Sequence, residues 1–139
     1  MITSLRILFV CILASMLWVT SWASLQCPFF GLPHSVATHP WFIATLFDAY
    51  WGFITFFVWV SFRQTSWVAR IAWLLAILSL GNIAMSSYCL AALSQAPRGG
   101  KLSVILSERK EGPGWLGIAL AAAGIAVTLA AAFMTPSPR

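Results

Sequence analysis

The chain has 139 residues, 60% apolar and 8% charged, with a formal net charge of +5 and a mean hydropathy of +0.89. Soluble domains carry charge on about a quarter of their residues, so a water-soluble fold is excluded and lipid has to be the main solvent. The basic excess does not point to nucleic acid, because the bases are scattered through short connections with no aromatic-interleaved platform; they suit anchoring against acidic headgroups.

Taken in order, residues 5–25 form a first apolar run of spanning length. Arg6 before it and Ser21-Trp22-Ala23 near its end also fit a secretory signal peptide, but the unbroken run favours a retained helix. Trp18 and Trp22, one turn apart, suit the interface. Residues 26–39, with Pro28, Gly31, Pro33 and no Lys or Arg, read as a loop. Pro40 opens a second span, 41–62, anchored by Trp41. Arg63–Ser66 makes a tight link to a third span, 67–93, which forces antiparallel neighbours. Residues 94–113 form the only long polar stretch, where Leu102, Ile105 and Leu106 predict a short interfacial helix. A fourth span covers 115–134, before an exposed tail. The expected fold is all-α: one integral membrane domain over 1–139, an up-down-up-down four-helix bundle with short loops.

Arg6, Arg63 and Arg70 place the N-terminus in the cytoplasm, and an even number of spans then places the C-terminus there too. A bacterial inner membrane is the expected setting. Arg98, Lys101, Arg109 and Lys110 conflict with this arrangement, since the third connection would face outward. Failure of the fourth segment to span would instead put the tail outside.

The second span holds Asp48, the only acid in the first 107 positions. Trp41, Thr45, Asp48, Gly52, Thr55 and Trp59 recur at spacings of three and four, which reads as a packed seam. Phe42, Leu46, Phe53, Phe57 and Val60 lie away from it and would face lipid. Mirroring positions about the tight link brings Asp48 level with Gly81 and Asn82, and Trp41 level with Tyr88. Thr20 and Ser21 of the first span stand at a similar depth. Asp48, Asn82, Tyr50, Thr20 and Ser21 are therefore the candidate intramembrane polar site. Gly52 and Gly81, with Gly117 and Gly124 on the small-residue face of the fourth span, are the candidate packing positions. An intramembrane acid reads as functional by default, yet a protonated Asp48 hydrogen-bonded to Asn82 would also serve as a clasp that fixes helix register.

His34 and His39 share the outer loop with Cys27, but their spacing matches no metal-ligand motif. The three cysteines fit no zinc or redox pattern. Mirror spacing puts Cys89 level with Pro40 and would allow a Cys27–Cys89 disulfide in an oxidising compartment. No metal, cofactor or catalytic residue is implied.

The run W-F-x-A-T-L-x-D-x-Y from Trp41 to Tyr50, the aromatic end at Trp59, and G-N-I-A-M-x-x-Y from Gly81 to Tyr88 resemble an uncharacterised family of small multi-pass membrane proteins from bacteria and plants, the domain of unknown function 1475. The resemblance covers roughly residues 5–94. It implies the membrane fold and brings no activity with it.

The residues favour a non-enzymatic accessory or partner-binding membrane protein built around an Asp48–Asn82 clasp. Its expected partners are the bilayer and either another membrane protein or further copies of itself. Two alternatives stay open: a small proton-coupled transporter using Asp48, and an enzyme acting on a lipid or quinone with His39 assisting.

Overall fold

The computed structural model describes residues 2–95 and 114–133, and all regular structure among them is helical. The elements are α1 (Ile2–Gln26), a 3-10 turn (Phe29–Gly31), α2 (His34–Ala37), α3 (Pro40–Arg63), α4 (Trp67–Leu80), α5 (Asn82–Ser94) and α6 (Gly114–Phe133). The interfacial helix expected within 94–113, and the tail after 133, lie outside the described residues. Among the described residues three helices are long and apolar enough to cross a membrane: α1, α3 and α6, of 25, 24 and 20 residues. At 1.5 Å per residue they reach roughly 30–37 Å, against a hydrocarbon thickness of about 30 Å.

The start of α3 follows from its sequence. Pro40 sits in the first turn, and the extended His39 before it accepts a hydrogen bond at Nδ1 from the Trp41 N–H at 3.3 Å. That side chain satisfies one of the donors that a helix start leaves open. Gln64 and Ser66 are also extended, with ψ 132° at each, so the link to α4 is tight as expected.

The third expected span is not one helix. It breaks at Gly81, whose φ of 53° and ψ of −126° suit a residue without Cβ. The chain then doubles back: the Tyr88 ring packs edge-on against Trp73 with centroids 4.8 Å apart. A continuous helix would separate those residues by about 22 Å. The four-helix up-down-up-down bundle is thereby corrected to three long helices around a hairpin of two short ones. Gly-Asn at 81–82 was the turn signal; the unbroken apolar composition on either side hid it. The 14 residues of α4 and 13 of α5 span about 20 Å each, less than the hydrocarbon.

Helix directions follow from paired contacts. A Cβ built on Gly114 would lie 3.4 Å from Ala69, one on Gly117 2.9 Å from Trp73 Nε1, and one on Gly124 2.8 Å from Ser79 Cβ. So α6 runs parallel to α4, and they meet through small residues: Ala69, Ala72 and Ala76 against Gly117, Ala121 and Gly124, all buried. In lipid no hydrophobic force separates helix from solvent, so close backbone approach is what such an interface offers. α1 packs along α5 and is pinned where Arg6 Nη2 donates to the Leu93 carbonyl at 2.7 Å. The N-terminal end of α1, the end of α5, the α3–α4 link and the start of α6 therefore share one end of the molecule. Phe133 ends α6 at the other end, so the described chain begins and finishes on opposite sides.

Candidate functional site

The core lies on α3's aromatic face, which was expected to meet lipid. Phe53, Phe56, Phe57 and Trp59 pack on a cluster of buried Val60, Trp73, Ala76, Ile77, Ala84, Tyr88 and Ala121. The expected seam is turned outward: Trp41, Thr45, Asp48, Gly52 and Thr55 are all exposed, and only Trp59 is half-buried. The inward orientation of Asp48 is corrected accordingly. Polarity suggested that Asp48 should be inside, but flat aromatic side chains fill the groove beside α4 and α5 better than Thr and Asp do.

Asp48 and Asn82 are both exposed, and neither has a hydrogen-bond or ion-pair partner among the described residues. The clasp is not formed within this chain. Thr20 Oγ1 donates to Met16 O at 2.6 Å, Thr45 Oγ1 to Trp41 O at 2.8 Å and Thr55 Oγ1 to Trp51 O at 2.9 Å, so these hydroxyls are satisfied by their own helices. Ser21 is exposed. Tyr50 is 45% exposed and meets Phe53 edge-on, with centroids 5.6 Å apart. The structure does not gather the five candidates into one site.

The packing glycines divide. Gly117 and Gly124 are buried in the α4–α6 contact. Gly81 turns the hairpin under the Phe53 ring, 2.7 Å from where a Cβ would stand. Gly52 has nothing within 4 Å, so its expected packing role inside the chain is corrected: it marks open surface.

A second polar cluster was missed by the sequence reading. At the α3–α4 link, Arg63 is 6%, Gln64 1% and Tyr88 2% exposed. Gln64 Nε2 donates to the Tyr88 hydroxyl at 3.3 Å, and the Arg63 guanidinium lies 5.5 Å from the Trp59 centroid and 6.0 Å from that of Tyr88. Such cation–π contacts hold a cation among apolar groups. Arg70 Nε donates to Gln64 O at 2.9 Å, closing the carbonyl end of α3. Tyr88 thus belongs beside Gln64, not beside Trp41 as mirror spacing predicted, because the reversal at Gly81 returns it to the link. The same reversal places Cys89 at the link end while Cys27 follows α1 at the far end. All three cysteines are free, which removes the expected Cys27–Cys89 pairing. Trp73 Nε1 is buried without a hydrogen-bond partner, against the helix at Gly117.

Among the described residues no three His, Cys, Asp or Glu side chains gather as metal ligands. A shallow apolar groove of about 310 Å³ runs along α3, lined by Leu46, Phe47, Tyr50, Trp51 and Ile54. The two polar regions differ in kind: the link cluster is buried, while the α3 seam from Trp41 to Thr55 is exposed.

No curated protein and no solved structure matches this chain. A family profile does match, over residues 1–110, so the likeness reaches past α5 into the polar stretch. The match covers most of the sequence, and the chain belongs to the family described as "Protein of unknown function (DUF1475)".

Proposed function

We propose that this chain is a multi-pass integral membrane protein, a single membrane unit that acts without catalysis by holding a membrane partner, and that the open seam of α3 is the holding surface. The reading rests on Asp48. A carboxylic acid on an apolar helix is costly when it faces hydrocarbon, by about 3 kcal/mol at mid-helix on insertion scales, and such groups almost always face protein or water. Here it stands between Thr45 and Thr55, beside a glycine with empty space above it. Small and polar residues at helical spacing are what an approaching helix packs against. The carboxyl can donate or accept a hydrogen bond from that helix once protonated, and accept only when ionised. Proton-coupled transport and lipid or quinone chemistry have less support: among the described residues Asp48 has no hydrogen-bond partner, and proton transfer needs one within reach.

A photo-crosslinking side chain placed at Gly52 or Thr55, in the full chain in its native membrane, tests the reading. Discrete protein adducts are expected there and not at Val58, off the seam, with loss of the adduct in Asp48→Leu. An adduct of twice the chain mass identifies a second copy; another mass identifies a different protein. Adducts to lipid alone at both seam positions would sink the proposal.

A further inference from the structure

We infer that the chain crosses the bilayer three times, through α1, α3 and α6, while α4 and α5 enter from and return to one face, and that this face is a cationic surface seated on the anionic phospholipids of the cytoplasmic leaflet. Two independent observations converge on it. The first is direction. α4 and α6 run parallel from the same end, since Gly114 meets Ala69 and Gly124 meets Ser79. α5 runs back, since Tyr88 meets Trp73 and Gln64. The start of α1 is bonded to the end of α5. A hairpin with arms of about 20 Å cannot cross about 30 Å of hydrocarbon.

The second observation is charge. Arg6, Arg63 and Arg70, the basic residues of the described helices, all lie at that one end. The sequence joining Gln95 to Gly114 carries Arg98, Lys101, Arg109 and Lys110, and both of its attachment points belong to the same end. An alternating bundle would set both attachment points of that stretch, Gln95 and Gly114, opposite Arg6, Arg63 and Arg70; the reversal at Gly81 puts them at the same end. Lys and Arg in short connections accumulate on the cytoplasmic side, where each contributes attraction to anionic lipid. The chemistry of the face agrees. Trp67 and Trp115, 73% and 72% exposed, form an indole belt at its level. Arg6 and Arg70 each use an N–H on a backbone carbonyl, and a guanidinium has further donors for phosphate oxygens.

The test uses single cysteines in the full chain with Cys11, Cys27 and Cys89 replaced by alanine, labelled with a membrane-impermeant maleimide in intact cells and in inverted vesicles. Cysteines at Ser35 and Phe133 are expected to label in intact cells. Those at Ser66 and Gln95 are expected to label only in inverted vesicles. Gln95 behaving like Ser35 would overturn the re-entrant hairpin, and Ser66 with Gln95 labelling in intact cells would overturn the leaflet assignment. An alkaline phosphatase fused to the C-terminus of the unaltered chain reads the same geometry without cysteine replacement: activity is expected, and an inactive but stable fusion contradicts three crossings.

Discussion

One helix, α3, contains two regions that look alike in composition and differ in surroundings. From Phe53 to its end, Phe53, Phe56, Phe57 and Trp59 pack on the core of α4 and α5, and Val60 and the following Gln64 are 0% and 1% exposed. From Pro40 to Gly52 no residue is buried, and Trp41, Phe47 and Trp51 are 78%, 64% and 63% exposed. Both halves are rich in aromatics, so side-chain chemistry does not explain the contrast. The height of the neighbour does: the hairpin ends at Gly81, under Phe53, and above it no described helix packs on α3 to the same extent. Packing here is set by where a neighbouring helix stops.

Gly81→Ala attacks the contrast at its origin. The backbone conformation is one that L side chains rarely adopt, and the new Cβ would press on the Phe53 ring; together these cost about 3 kcal/mol. Thermal unfolding in detergent or nanodiscs should show the largest loss of any variant here, and an unchanged midpoint would mean the chain does not reverse at this residue. Tyr88→Phe probes the packed half more gently. It removes the acceptor for Gln64 while leaving the ring against Trp73, so about 1 kcal/mol should be lost, without change in oligomeric state. Gly52→Ala probes the open half and should be the smallest effect on the isolated chain. With empty space around it, alanine gains helix propensity of up to about 1 kcal/mol, so the purified protein should be unchanged or slightly more stable. A clear destabilisation of the monomer would show that the upper half is packed after all.

The legible parts of this molecule were those governed by local rules. Pro40 and the apolar runs marked α1, α3 and α6 closely, and the strip at Gly117, Ala121 and Gly124 announced the α6 contact. Facing was misread on α3 because two stripes one position apart both have helical spacing. One is polar and small, the other aromatic, and in lipid either could be the interior face. The hairpin was misread for a related reason. Apolar residues on both sides of Gly81-Asn82 carry no sign of direction, and a single turn-forming pair must outweigh a run long enough to span. The link cluster of Arg63, Gln64 and Tyr88 depends wholly on that reversal, since Tyr88 is 24 positions from Gln64. Asp48 was conspicuous from the start. Sequence revealed the residue, and only the fold shows that its face is exposed.

The turn at Gly81 also bears on the bilayer that the proposed crossings imply. Across it the backbone makes the bonds from Gly81 N–H to Ile77 O and from Met85 N–H to Gly81 O, and a helix end leaves its last carbonyls and the next helix its first amides without intrahelical partners. Hydrocarbon cannot solvate such groups. In the re-entrant arrangement proposed above, the lipid over the tip would dimple or admit water, and the protein would gather in thin membranes and deform thick ones.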